Sequence, residues 1–122
     1  MVHTTGLVIA WLAGLGIIYV GLAYLAKNEK NATGFGLRTL PPPEARGWWQ
    51  VKGIRDVTTG VLALTWIFLA PAQLGWLLLV LALIPAGDAT IVMRGGNPKA
   101  ALGIHGLTAV VMVIGSVFLL TG

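Results

Sequence analysis

Five ionisable side chains stand inside stretches otherwise built largely from Gly, Ala and large apolar residues. They are Lys52, Arg55 and Asp56 in GWWQVKGIRDVTTG, Asp88 in IPAGDATIVM, and His105 in the HGLTAV stretch. Two carboxyl groups and an imidazole are the side chains of general acid–base chemistry. A lysine and an arginine beside them can hold a substrate oxygen or stabilise negative charge that develops on it. On a helix, Lys52, Arg55, Asp56 and Thr59 fall at i, i+3, i+4 and i+7, so they share one face.

That face is costly in these surroundings. The chain has 122 residues, 57% of them hydrophobic and only 10% charged, where a soluble domain carries about 25% charge. So little charge cannot clothe a water-soluble globule, and a bilayer is the expected solvent. At bilayer mid-depth each charge costs about 2.5–3.5 kcal/mol on insertion scales. A stripe of this kind must therefore look inward, at a cavity or at other polar groups. The formal net charge is +4, but the basic residues sit at the borders of apolar stretches. They read as topology signals, and no nucleic-acid partner is expected. With no cysteine in the chain, disulfides, thiolate chemistry and Cys-based metal sites are excluded.

The elements that must position these residues are four apolar segments. The pattern predicts an all-α, polytopic membrane protein, an antiparallel four-transmembrane-helix bundle forming one domain over residues 1–122. Its helices are expected at about 4–26, 47–70, 74–93 and 99–120, each near the roughly 20 residues needed to cross a bilayer. Nothing basic precedes the first apolar run and no small-residue cleavage pattern follows it, so a retained helix is expected rather than a signal peptide. Residues 27–46 form the longest connection, stiffened by Pro41, Pro42 and Pro43. Gly34 and Gly36 there would let the backbone fold back toward the membrane and bring Arg38 to the site. Trp48 and Trp49 suit an interfacial aromatic belt. Pro85 predicts a kink in the third helix directly before Asp88.

All eight Lys and Arg lie in the first connection, the start of the second helix, or the third connection. With four crossings those regions share one side. The positive-inside rule then places both termini outside the cytoplasmic membrane and the long connection within the cell. Depth can also be compared. Asp56 lies about 13 Å along its helix from Gly47, Asp88 about 9 Å before Arg94, and His105 about 10 Å beyond Pro98, at 1.5 Å per residue. Three helices thus place their most expensive residues at one level. The expectation is a single buried polar cluster of Lys52, Arg55, Asp56, Asp88 and His105, with Tyr24, Thr59 and Thr90 as neutral members. Asp56, Asp88 and His105 are the candidate catalytic groups. Arg55, Lys52, Arg38, Tyr24 and Thr59 are the candidate substrate-binding groups. Carboxylate and imidazole also ligate metals, but Lys52 and Arg55 oppose a cation and no ligand-spacing motif occurs, so no metal is expected. No nucleotide-binding or nucleophile-elbow motif is present, and no cofactor is expected.

The order of these features resembles the DoxX-like group of small four-helix membrane proteins, and within it a bacterial and fungal family of integral membrane proteins of unknown function. The likeness runs over nearly the whole chain, through the glycine-rich first helix, GFGLRTLPPP, KGIRDVTTG, IPAGDATIV and HGLTAV. It implies a four-helix bundle with a shared polar site at Arg38, Lys52, Arg55, Asp56, Asp88 and His105. Some members of the wider group are associated with quinone-linked redox systems.

Three functions fit these residues. One is a membrane-embedded, cofactor-independent acid–base isomerase or hydrolase acting on a small lipophilic molecule, by isomerisation or epoxide opening. The second is a proton-coupled small-molecule transporter, which four helices would support as a homodimer, with Asp88 as carrier acid. The third is an accessory subunit whose charges fix helix register in a larger membrane complex.

Overall fold

The computed structural model describes the backbone of residues 1–122 and the side chains of residues 1–27 and 30–122, and is helical nearly throughout, with no strand among the described residues. Helix α1 spans Val2–Ala26, α2 Asn28–Phe35, α3 Gly47–Leu69, α4 Leu74–Leu81, α5 Leu83–Gly95, α6 Pro98–Ala100 and α7 Leu107–Thr121. A π-helical turn, Ala101–Gly106, joins α6 to α7. Three continuous helical stretches, Val2–Ala26, Pro71–Gly95 and Pro98–Thr121, are long and apolar enough to cross a membrane. Helix α3 has 23 residues, long enough for the same purpose, but carries Lys52, Arg55 and Asp56 in its first half. Large apolar side chains stand exposed along every long helix, among them Leu12, Leu15 and Leu22 on α1, Val61 and Phe68 on α3, Val80 and Leu83 on α4 and α5, and Leu107 and Val110 on α7. Apolar surface on this scale marks contact with a lipid bilayer.

In lipid, one apolar helix gains little by leaving the chains around it for another, so helices associate through close packing of small residues. Glycines do this here. A Cβ on Gly21 of α1 would stand 2.7 Å from the Gly53 carbonyl oxygen of α3, and one on Gly14 would stand 2.9 Å from Leu64. Successive α1 residues thus meet α3 in reverse order, and the two helices run in opposite directions side by side. Gly6 of α1 meets Gly115 and Leu119 of α7, while Gly75 at the start of α4 meets Leu119 and Leu120. Ser116 fastens this second contact by donating to the Gly75 carbonyl at 2.8 Å. A Cβ added to Gly16 of α1 or to Gly103 of the π-helical turn would meet nothing within 4 Å.

Residues 27–46 are more ordered than the proline-rich connection expected from sequence. Asn31 donates from its side-chain amide to the carbonyls of Ala23 (3.0 Å) and Lys27 (2.8 Å), satisfying acceptors left open where α1 ends. Helix α2 then stops at Gly36, whose φ of 103° is left-handed and whose Cβ, if present, would lie 2.6 Å from that of Ala100. Only glycine fits both demands. The reversed chain is pinned to the α5–α6 turn: Asn97 N–H donates to the Gly36 carbonyl at 2.7 Å and Arg38 N–H to the Gly95 carbonyl at 3.1 Å.

Pro85 has no N–H for the Leu81 carbonyl, and α4 gives way to α5 through a one-residue turn at Ala82, which keeps helical angles (φ −62°, ψ −18°). Two apolar clusters frame the interior. One gathers Ala10, Ala63, Leu74, Leu78 and Met112; the other gathers Tyr24, Phe35, Trp49, Val92 and Ala101. Because Gly21 lies in backbone contact with α3, Gly21→Leu is expected to destabilise the protein by about 1–3 kcal/mol through overpacking. Gly16→Ala, in open space, is expected to leave the midpoint of thermal unfolding in mild detergent unchanged; equal midpoints for both variants would contradict this packing.

Candidate functional site

The polar face of α3 closes onto α5 through Arg55. Asp56 is 1% exposed. Its Oδ2 accepts from Lys52 Nζ, one helical turn earlier, and its Oδ1 accepts from Arg55 Nε and Nη2, both at 3.2 Å. Arg55 also forks onto Asp88, with Nη2 donating to Oδ2 at 3.1 Å and Nη1 to Oδ1 at 3.4 Å. Lys52, Asp56, Arg55 and Asp88 thus form an unbroken chain of two cations and two anions. The formal charge cancels, which a low-dielectric setting requires of buried ions.

The ammonium of Lys52 is also caged by aromatic rings. It lies 4.1 Å from the Tyr24 ring centroid and 5.4 Å from that of Phe35, within reach of cation–π attraction. Tyr24 stacks on Trp49 at 5.7 Å, Phe35 meets the same indole at 5.7 Å, and Phe35 also lies against His105 at 4.7 Å. His105 stands in the π-helical turn and shares a 2.8 Å hydrogen bond with the Phe35 carbonyl. The one-residue excess of a π turn re-aims side chains relative to an α-helix and recurs at functional sites.

These groups line one end of a cavity of about 490 Å³. Lys52, Asp56, Asp88, His105, Tyr24 and Asn31 form the polar end, and Ala13, Ile17, Ala63, Leu78, Ile84 and Met112 form apolar walls. The volume and the ratio of apolar wall to a few convergent polar groups are those of a small-molecule site. The cavity also reaches Leu12, Gly16 and Val20 of α1, and Ile104 and Thr108 of the π turn and α7.

The structure therefore brings Lys52, Arg55, Asp56 and Asp88 into contact, and sets Tyr24 and Thr59 beside them on the cavity wall. Several expectations need correction. His105 borders the same cavity but touches neither carboxylate; the π turn hands its ring to Phe35 instead. Arg55 borders an outward groove of about 330 Å³ rather than the main cavity, because its guanidinium reaches sideways to Asp88. Arg38 is exposed and lines neither space; the reversal at Gly36 carries Phe35 inward and ties the Arg38 backbone to Gly95. Thr90 is exposed and returns its hydroxyl to the Ala86 carbonyl. Trp49 is 7% exposed and belongs to the aromatic cage, while Trp48, at 72%, faces outward as a belt residue would. Phe35 was missed by sequence reasoning, although its position between Gly34 and Gly36 is the signal of a turn that could deliver it. Among the described residues, no group of three His, Asp or Glu side chains is arranged to hold a metal ion.

Asp56→Leu strands Lys52, and is expected to cost about 3–5 kcal/mol, the cost of breaking a buried pair. Lys52→Met combined with Asp56→Leu leaves the Arg55–Asp88 pair neutral and is expected to recover part of that loss. Thermal unfolding of both variants in detergent measures the difference, and a double variant no more stable than the single one would contradict the pairing.

The chain belongs to the family described as a domain of unknown function, DUF4267, whose model matches residues 14–119. No curated protein and no solved structure matches the chain.

Proposed function

We propose that this family member is an integral membrane protein of four crossings, an antiparallel four-transmembrane-helix bundle that receives a small lipophilic molecule in its polar-ended cavity. The observation that carries the reading is the cavity itself: about 490 Å³, apolar along its length, with Lys52, Asp56, Asp88 and His105 at one end. Helix α3 serves as the fourth crossing, its charges turned onto one another and the cavity rather than to lipid. Both termini lie outside the cytoplasmic membrane and residues 27–46 within the cell, an orientation supported by the segregation of all eight Lys and Arg to one side. The resemblance to DoxX-like proteins forms part of this proposal.

The chemistry best supported is cofactor-independent acid–base catalysis, such as isomerisation or epoxide opening. Lys52 has N–H groups beyond the one given to Asp56 and meets an oxygen of the substrate. Asp56 and Asp88 hold the two cations in place and balance their charge. His105, free of any carboxylate contact among the described residues, exchanges the proton. The transporter reading keeps one observation in its favour, the one-residue turn at Ala82, which precedes Asp88 on the same crossing. It also needs a second copy of the chain to complete a path.

For the protein in lipid nanodiscs, incubation with a panel of lipophilic epoxides, isoprenoids and quinones is expected to give retention or conversion of at least one compound, measured by mass spectrometry. Ala63→Phe, which fills the cavity, is expected to reduce that signal at least about tenfold. A panel that is neither retained nor converted would remove the ligand reading. The absence of native cysteine allows a direct test of orientation. A cysteine at Thr121 is expected to react with an impermeant maleimide on intact cells, and one at Thr39 only after permeabilisation; the reverse pattern would overturn the topology.

A further inference from the structure

The imidazole of His105 offers the cavity a polar atom that neither the ion network nor the turn uses. The Phe35 carbonyl can only accept, so the His105 Nε2 that meets it at 2.8 Å must carry the hydrogen and donate it. In the neutral ring the lone pair then stands on Nδ1. Nδ1 has no hydrogen-bond partner among the described residues, yet no buried side-chain nitrogen or oxygen is left without one. Nδ1 is therefore open to accessible space, and the space that His105 borders is the cavity. Lys52 Nζ stands 5.4 Å from the centroid of the same Phe35 ring, with donors and no acceptor. Both carboxylates in reach are already engaged by cations through both oxygens.

We infer that His105 Nδ1 accepts a hydrogen bond from the ligand's head, so that the cavity selects a lipophilic alcohol or phenol over the corresponding ether or hydrocarbon. A hydroxyl is the smallest head that brings a hydrogen to Nδ1. An ether or a hydrocarbon has no such hydrogen and leaves Nδ1 unpaired. The ion network sums to zero charge, which favours a neutral head over a carboxylate or phosphate. The tail then runs along Ile17, Ala63 and Met112. This inference rests on the ligand-binding reading proposed above and narrows it to hydroxyl-bearing molecules, which sets isomerisation of such a molecule ahead of epoxide opening.

Two measurements test it. The chain has two histidines, so a His3→Gln background leaves a single imidazole for nitrogen-15 NMR in nanodiscs. The Nε2 resonance is expected to show a one-bond proton coupling and the Nδ1 resonance none; a proton found on Nδ1 in the neutral ring overturns the inference while leaving the cavity reading intact. The second measurement titrates 4-hexylphenol and its methyl ether, 4-hexylanisole, with affinity followed by calorimetry and by the His105 nitrogen shifts. The phenol is expected to bind about tenfold more tightly, the worth of one hydrogen bond, and to move Nδ1. His105→Gln sets an amide N–H where Nε2 stood, keeps the bond to Phe35 and removes the Nδ1 acceptor. Its preference for the phenol is expected to fall to about parity, with a thermal midpoint close to that of the parent. A preference that survives in His105→Gln overturns the inference. Failure of both probes to bind the parent protein overturns the ligand reading and the inference together.

Discussion

Arg55 is the side chain on which the interior depends. Its guanidinium reaches Asp56 on its own helix and Asp88 on the segment beyond Pro85, and a planar fork is the group suited to two carboxylates at once. Without that bridge Asp88 would be an uncompensated charge beside lipid, where ions are least tolerated, and Asp56 would keep Lys52 alone. With it, α3 can carry three charges in its first half and still pack against α1. The arginine therefore ties α5 to α3. A buried ion network is a weak source of net stability. Its strength here lies in geometry, since few other arrangements of these helices leave every carboxylate oxygen paired.

The helices answer this polar constraint with glycines. The backbone contact of Gly21 with Gly53 brings α1 so close to α3 that Tyr24, one turn on, lands over Lys52. Close helix packing and cation–π placement are thus one arrangement described at two scales. Gly36 in turn reverses the chain and delivers Phe35 to both Lys52 and His105. The aromatic cage is assembled from three separate segments, and each contributes through a position where only a small residue is tolerated nearby.

Much of this was legible in the sequence, and the reason is periodicity. The stripe of Lys52, Arg55, Asp56 and Thr59 follows from helical spacing alone, and the common depth of Asp56, Asp88 and His105 follows from rise per residue. Pro85 announced the one-residue turn between α4 and α5 because a missing N–H acts locally. What sequence could not supply was lateral placement. Depth says that His105 stands level with the acids, but not that a π turn rotates it toward Phe35. The short helix α2 was hidden because its stability comes from Asn31 bonding back to α1, a tertiary contact. Arg38 was drawn toward the site by its charge, whereas the turn at Gly36 moved the apolar residue inward and left the charged one in the open. Trp49 and Trp48 are neighbours of identical chemistry, and only the direction of the α3 face separates a cage wall from a belt.

The cavity wall reaches the outer surface of the helices. Leu12 and Val20 of α1 and Ile104 and Thr108 of the π turn and α7 contribute to it, and Leu12 and Ile104 are also exposed on the outside. On the ligand reading proposed above, a guest that enters among these residues comes from the membrane phase, so its effective concentration follows its partition into the surrounding leaflet.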